Sequence, residues 1–407
     1  MEAGDIVKHQ TAYDARLCGF SWEEAMAVLS NPGTDNHKRM NQIVHIANTN
    51  VEFEFAHPNI EPLETSLSRY PIFLQLQFLP LLYAGTDDII AVSALPDADY
   101  LAALEQTGWW PQGLPQLALL CDQDSFEGKK CLSWGPSRQV QKWAEARRML
   151  YSSPDWKIAS LINSKAFSFR YTSLDAAALL WSKEALLDWM KKVPGAKVLK
   201  TCFGLSGGGN RRIENSLLSQ KLLGFCRKEW KQNRPILGEP WLDRLGDFST
   251  QWFIHSNQCI EWVGGTRFEV DAHGVYQGTL VGSENQLFPF LEPFLQEHRQ
   301  FALKALTEMA AMGFFGPIGI DALLYRDPKT DSVSLFPLVE INGRETMSLV
   351  ALRLQQRIAP HQMLRLAFQQ TEASGASLLP HRIINEKGDV IHFRKRLTAS
   401  ILQSFHQ

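Results

Sequence analysis

Gly319-Ile320-Asp321-Ala322-Leu323-Leu324-Tyr325 and Leu338-Val339-Glu340-Ile341-Asn342-Gly343-Arg344-Glu345-Thr346 decide how this chain is read. Each opens as an apolar run, and a polar turn, Asp327-Pro328-Lys329-Thr330-Asp331, lies between them. That pattern predicts a strand pair over Gly316–Tyr325 and Val333–Ile341. Alternate residues of a strand share a face, so Glu340 and Asn342 point the same way. Asp321, on the partner strand, is placed to face them. Two carboxylates and an amide oxygen make a hard-oxygen set of the kind magnesium prefers, with phosphate oxygens and water completing the shell. Arg344 adds a planar donor fork near the same place. A strand end whose charges merely face water is the plain alternative for these residues taken alone.

Upstream, Val198-Leu199-Lys200-Thr201-Cys202-Phe203-Gly204-Leu205-Ser206-Gly207-Gly208-Gly209-Asn210 runs a predicted strand, Ala196 to Cys202, into a glycine-rich loop. Glycine lets backbone N–H groups approach phosphate oxygens, and lysine supplies a compact positive charge. No Gly-Lys-Ser/Thr follows the glycines, so this is not a Walker A loop. A surface loop without ligand is the alternative. Between the two features, Ile236-Leu237-Gly238-Glu239-Pro240-Trp241-Leu242-Asp243-Arg244-Leu245-Gly246-Asp247 carries an apolar run to a carboxylate, a turn and further acids. Backbone groups there suit a purine edge, and a carboxylate suits ribose hydroxyls. An acidic loop is the alternative.

The remaining pattern is α/β. Ile89–Ser93 and Leu117–Cys121 read as strands around a helix from Asp97 to about Gln106, a parallel unit. Helices are expected over Ser137–Leu150, near Lys165, over Ser182–Lys192, Phe290–Met312, Met347–Gln356 and Gln362–Gln370. Gln251 to Val281 alternates like antiparallel strands, with a hairpin at Asp271-Ala272-His273-Gly274. The last 25 or so residues read as a basic tail. Polar Ser152–Lys157 marks a boundary, which divides the 407 residues into 1–152, 153–250 and 251–407.

The net charge of −2 offers no broad positive field for nucleic acid or an anionic membrane. Pro71–Ala84, the most apolar stretch, is too short to span a bilayer, which needs about 20 apolar residues. The first thirty residues carry Asp5, Asp14, Glu23 and Glu24 and no apolar run, so no signal peptide is read. The six cysteines form no Cys-x-x-Cys pair, and buried, reduced thiols in a cytoplasmic protein are expected. His255 and His273 are expected to be structural or exposed. Trp109 and Trp110 suit a pocket, a core or a dimer interface.

Taken in order and spacing, the three features resemble the ATP-grasp superfamily over about Asn163 to Arg353, with Asn163-Ser164-Lys165-Ala166-Phe167 as the entry to its ATP-binding region. The resemblance implies an α/β (α+β) ATP-grasp fold preceded by a Rossmann-like α/β domain. It implies ATP and Mg2+ (or Mn2+) as cofactors. Lys165 and Lys200 would contact phosphates, and Ser206, Gly207, Gly208 and Gly209 would fold over them. Glu239 and Trp241 would lie at the adenine hinge, Asp247 would meet the ribose, and Arg267 is a weaker phosphate or substrate candidate. Asp321, Glu340 and Asn342 resemble the metal ligands, and Arg344 the arginine at the reacting phosphate. Departures are Gly319, where many members carry arginine, Pro240 in the hinge, and Arg344-Glu345-Thr346 in place of a proline–glycine. The implied activity is ATP-dependent joining of a small carboxylate to an amine through an acyl phosphate. A thiol nucleophile, a non-catalytic ATP-binding or sensing protein, and an α/β enzyme without an ATP site are the alternatives. A homodimer is left open.

Overall fold

The computed structural model describes residues 42–57, 61–122, 124–172, 174–204, 208–214, 218–270, 276–289, 292–370, 377–385 and 388–402. The acids read near the N-terminus, Cys18, His273 and the hairpin at 271–274 lie outside these residues, as do Ser206 and Gly207.

The first unit is a parallel sheet. Ile43–Ile46 (β1), Ile89–Val92 (β2), Gln116–Leu119 (β4), Lys130–Ser133 (β5) and Leu150–Tyr151 (β6) align in the order β4-β2-β1-β5-β6, while Leu95–Pro96 (β3) leaves for another sheet. The central strands β1 and β2 are buried along their whole length, as parallel strands covered on both faces must be. The helix Ala98–Gln106 starts where the Asp97 side chain accepts from Tyr100 N, and Gly108 follows it at φ 72°. The helix expected over Ser137–Leu150 is shorter, Arg138–Ala146. Arg148 adopts φ 53°, turning the chain into β6. Alternation in so short an edge strand is too brief to register as a pattern.

A four-stranded antiparallel sheet follows, in the order β7-β10-β8-β9: Ala178–Leu180, Ile236–Pro240, Lys197–Lys200 and Asn210–Ile213. The Ser182-capped helix Lys183–Lys192 and the Ser219-capped helix Gln220–Trp230 close one face around Leu186, Trp189, Leu199, Cys226 and Ile236.

The largest sheet has seven antiparallel strands, ordered β15-β14-β11-β12-β13-β16-β19. They are Val333–Asn342, Gly316–Arg326, Asp243–Ile254, Ile260–Val270, Tyr276–Val281, Met363–Gln370 and Lys395–Leu402. The β14–β15 hairpin forms as expected, with Asp321 opposite Glu340 and Gly319 opposite Asn342. Helices Glu292–Ala311 and Met347–Ile358 pack Ala305, Leu306, Met309, Val350 and Leu354 into a core that continues to Val51, Leu81 and Trp134 near the first sheet. His298 is buried in that core. It bonds Thr250 Oγ1 at 2.7 Å and the Pro337 carbonyl at 2.6 Å, and burial pushes its pKa down to about 4.

Two expectations fail here. Gln362–Gln370 is not helical: Met363–Gln370 is β16, hydrogen-bonded to β13 on one side and β19 on the other. Leu364 and Leu366 are buried at period two, but Leu364, Ala367 and Phe368 also fit helical spacing, so neighbouring strands decide. Residues read as a tail instead form β19 and a small sheet, β18-β17-β3, of Val390–His392, Arg382–Ile384 and β3. That sheet ties the C-terminal part to the first unit, and Arg382 Nε donates to Asp97 at 2.6 Å.

Cys131, Cys202 and Cys226 are buried free thiols, as expected. Cys121 is exposed, and Cys259 is disulfide-bonded; both depart from the expectation. Among the described residues no helix is long and apolar enough to cross a membrane.

Candidate active site

The four-stranded and seven-stranded sheets face each other across a cavity of about 460 Å³. Lys165, Lys200, Glu239, Trp241, Asp247, Asp321, Glu340, Asn342 and Arg344 all line it. Those residues span 180 positions of sequence, from 165 to 344, and only folding brings them together.

The metal-type set sits at the ends of β14 and β15. Asn342 Nδ2 donates to Asp321 Oδ2 at 3.1 Å, and Asn342 Oδ1 accepts from Arg344 Nη2 at 2.9 Å. Glu340 Oε1 accepts from Lys165 Nζ at 2.6 Å. Burial, reinforced by the neighbouring Glu340 charge, lifts the Asp321 pKa to about 7. A half-buried carboxyl opposite a second one across the β14–β15 ladder is relieved by a cation, so the donor set fits a divalent metal completed by phosphate oxygens. Two carboxylates and an amide are too few for a metal site made of protein alone. No group of three His, Cys, Asp or Glu gathers for one among the described residues.

Asp321 carries a pH prediction. A proton on Asp321 competes with the metal, so magnesium-linked ATP affinity should fall by up to about tenfold per pH unit below 7. Calorimetry at pH 6, 7 and 8 checks it; a pH-independent affinity is the contrary result. For stability the sign is opposite to that of an ordinary ion-paired acid. The folded form holds its proton from the usual 3.8 up to about 7. Asp321 therefore costs the metal-free fold stability as pH rises through that window.

Lys165 is 5% exposed, in the first turn of the helix Lys165–Ser168, whose N-cap is Ser164. Burial opposes its charge, but Glu340 and Glu52 outweigh burial and raise its pKa above the usual lysine value. The same stretch grips the end of β15. Asn163 exchanges two hydrogen bonds with Gly343, and Ser168 Oγ accepts from Ile341 N. Lys200 Nζ pairs with Glu239 Oε2 at 2.6 Å, and both side chains are nearly buried.

The glycine loop joins β8 to β9, and Lys200 is opposite Asn210. Thr201 N donates to Gly209 O at 3.0 Å, which closes the neck of the loop, and Gly204 and Asn210 line the cavity. Gly208 lies next to this neck and accepts from Arg211 Nη1 at 3.2 Å. A Cβ on Gly209 would overlap Thr201 Oγ1 and stand 3.3 Å from Phe203 O. Gly209→Ala should therefore cost about 1–3 kcal/mol and weaken ATP binding. Thermal unfolding with and without ATP measures both; unchanged values would deny the loop its role.

Trp241 N bonds Ala196 O at 2.9 Å, and the Arg212 guanidinium stands 4.5 Å from the Trp241 ring. Val198, Leu242, Leu323 and Phe336 add an apolar wall. Asp247 lies within β11 rather than in a loop and is ion-paired with Arg244. Burial raises its pKa while Arg244 pulls the other way. Arg267 lines an adjoining groove with Arg212 and Arg244, not the main cavity, and donates to Leu287 O at 3.4 Å.

Several partners were absent from the sequence reading. Arg344 is ion-paired with Glu52 of the first unit, 292 residues away. Asn163 and Ser168 were also missed as site residues, because nothing in the chain's local pattern announces contacts so remote; Arg244 was missed although its partner Asp247 is only three residues away. Gly319 is explained: a Cβ there would stand 2.8 Å from Thr346 Cγ2 and 3.1 Å from Gln251 Oε1, so an arginine does not fit. Thr346 Oγ1 donates to Gln251 Oε1 at 2.6 Å in that space. Trp110 is core and donates to Leu81 O, and Trp109 packs against the same core. His255 pairs with Glu261 at 2.8 Å, a structural contact.

No family model and no curated protein matches this sequence. Solved structures that resemble it include a biotin carboxylase from Campylobacter jejuni in a β-γ-ATP complex, at 14% identity and TM-score 0.49, covering 75% of each chain. Another is N5-carboxyaminoimidazole synthase from Aspergillus clavatus with ADP and 5-aminoimidazole ribonucleotide: 13% identity, TM-score 0.44, 78% of this chain and 94% of that one. A third is a protein from Archaeoglobus fulgidus assigned to the ATP-grasp superfamily: 8% identity, TM-score 0.45, 89% and 99%. Likeness at this level carries no argument about the reaction.

Proposed function

We propose that this chain is an ATP-grasp enzyme that activates a small carboxylate with ATP and transfers the acyl group to an amine. The observation that carries the reading is the convergence of Lys165, Lys200, Asp321, Glu340, Asn342 and Arg344 on one cavity between two antiparallel sheets. Three cations answer the charge of a triphosphate, while two carboxylates and an amide answer a metal.

In this reading the adenine lies against Val198, Leu242, Leu323 and Phe336, with Glu239 and Trp241 at its edge and Asp247 near the ribose. Lys165 and Lys200 take the phosphates, exchanging their present partners Glu340 and Glu239 for phosphate oxygens. Asp321, Glu340 and Asn342 hold magnesium, which when bound neutralises phosphate charge and aligns the terminal phosphate. The substrate carboxylate attacks the γ-phosphorus, the bond to the β-bridging oxygen breaks, and ADP leaves. Arg344 stabilises charge on the reacting groups. The amine then displaces phosphate from the acyl phosphate. Positioning and charge neutralisation do the work, so no covalent nucleophile on the protein is required. Closure of the glycine loop would keep water from the acyl phosphate.

The test is calorimetry of ATP with and without magnesium, followed by an ADP-release screen of carboxylates with hydroxylamine as trap. Magnesium-linked binding and hydroxamate formation are expected. A folded protein that binds no nucleotide would end this reading.

One observation favours a non-catalytic ATP-binding protein: Lys165 and Lys200 are already neutralised by Glu340 and Glu239. ATP bound tightly, with no ADP formed from any carboxylate, would select it.

A further inference from the structure

The most apolar stretch of the chain, Pro71–Ala84, folds as the helix Pro71–Leu76 and the turn Leu79–Leu82. Ile72 and Leu76, one helical turn apart, both line the cavity. Ile72 is 40% exposed and Leu76 is half-buried. The helix is pinned to the C-terminal part of the chain. Gln75 is buried, and its Nε2 donates to Pro380 O at 3.0 Å and to Lys395 O at 2.8 Å. Half-buried Phe368 of β16 lines the same cavity. Phe368 is opposite Leu397, two residues from Lys395, so Phe368 and Lys395 are diagonal neighbours on one sheet face. Half-buried Met347 lines the cavity too, three residues past Arg344. Trp134, also a lining residue, accepts from Glu345 N at 2.8 Å through its carbonyl. This apolar stretch therefore reaches the arginine assigned above to the reacting groups. It is separate from the wall assigned to adenine: Leu76, Met347 and Phe368 pack against the main core with Trp134, whereas Leu242 packs with Leu323 and Phe336 in another cluster.

Apolar surface left open beside a reacting group is completed by an apolar ligand. Charge narrows the class further. Among the described residues lining the cavity, the carboxylates are Glu239, Asp247, Asp321 and Glu340. Glu239, Asp247 and Glu340 pair with Lys200, Arg244 and Lys165, and Asp321 sits opposite Glu340 in the metal set. None of them is on the apolar stretch. An ammonium group carried there would be desolvated without a partner of opposite sign, which is costly. The charged side chain beside the stretch, Lys395, has the same sign as an ammonium. It is exposed to water, so it also offers a second carboxylate little.

We infer that Ile72, Leu76, Met347 and Phe368 hold the carbon frame of the carboxylate substrate, and that this substrate is an apolar monocarboxylic acid without a free ammonium group. The inference rests on the acyl-phosphate reading above. The carboxylate lies toward Arg344, and the frame lies along the helix Pro71–Leu76 and β16. An α-amino acid of the same frame is discriminated against by its unpaired ammonium, and a dicarboxylate by the charge it sets against apolar side chains.

The experiment uses the full chain with ATP and magnesium, reads ADP release, and traps the acyl phosphate with hydroxylamine. Isocaproate is compared with leucine, and hydrocinnamate with phenylalanine, because each pair shares one carbon frame and differs by the ammonium. Acetate tests the need for the frame, and glutarate tests a second carboxylate. The better of isocaproate and hydrocinnamate should exceed its amino-acid counterpart, acetate and glutarate by at least about tenfold in kcat/KM. Ile72→Ser should raise the KM for that acid about three- to tenfold. Ile72→Asp should raise it further and narrow the gap to the matching amino acid, because it supplies the missing partner for the ammonium. ATP affinity by calorimetry reports whether each variant is folded, and the wild-type comparison stands without the variants. Equal or better use of the amino acids, acetate or glutarate overturns the inference. So does a folded Ile72→Ser whose KM for the apolar acid matches wild type. Hydroxamate formed only from amino acids, acetate or glutarate sinks the substrate class and leaves the acyl-phosphate reading standing. Absence of both ADP and hydroxamate with every acid sinks that reading, and the substrate class with it.

Discussion

Glu340→Gln should remove the magnesium dependence of ATP binding and lower turnover by at least about 100-fold. Glu340 has two tasks that the substitution separates. It is a candidate metal ligand opposite Asp321, and it is the partner of buried Lys165 at 2.6 Å. Losing the ligand flattens the magnesium response. Losing the partner leaves Lys165 with Glu52 as its remaining compensating charge, which costs less than the about 3–5 kcal/mol of a fully buried broken pair, also because the Glu340 side chain is 24% exposed. ATP phosphates resupply the missing negative charge. The variant should therefore melt at a lower temperature when free and recover more than wild type on adding ATP without magnesium. Calorimetry and thermal unfolding, each with and without the metal, read the two effects. An unchanged magnesium response would remove Glu340 from the metal set.

Arg344→Lys should lower kcat by about 100- to 1,000-fold and leave ATP affinity nearly unchanged. Arg344 spends its donors on Glu52, on Asn342 Oδ1 and on the Glu345 carbonyl, and it lines the same cavity as Lys165 and Lys200. Lysine keeps the charge that Glu52 requires but loses the planar fork that serves several acceptors at once. A single-turnover assay of ADP formation, beside an ATP titration, separates chemistry from binding. Equal loss in both would make Arg344 a binding residue and weaken the proposed mechanism.

Much of the candidate site was legible because it is local. Period-two alternation placed Glu340 and Asn342 on one face of β15, and a five-residue polar turn brought Asp321 of β14 opposite. Lysine followed by glycines marked the β8–β9 loop, although β9 itself, Asn-Arg-Arg-Ile, carries no strand signature. Errors fell where pairing between distant segments overrides local preference. Leu364, Ala367 and Phe368 satisfy a helix as well as a strand, and only β13 and β19 on either side choose between them. For the stretch around Asp247 an acidic loop was the alternative to a nucleotide-binding turn, and neither named a strand. Ladders to β12 and β14 keep it in a strand.

The sequence by itself determined the alternation of helices and strands through most of the chain, the hairpin that carries the two carboxylates, and the residue types suited to phosphate and metal. Those properties depend on spacing within a few residues, which side-chain periodicity and turn chemistry dictate. Tertiary structure alone decided that Lys165 meets Glu340, that Lys200 meets Glu239, and that Glu52 holds Arg344. It also leaves Thr49 Oγ1 and Glu52 Oε2 buried without a hydrogen-bond partner among the described residues. Such pairings form when separate sheets are packed together by a shared apolar core. Burial then gives each charge far more influence on its neighbours than it would have in water.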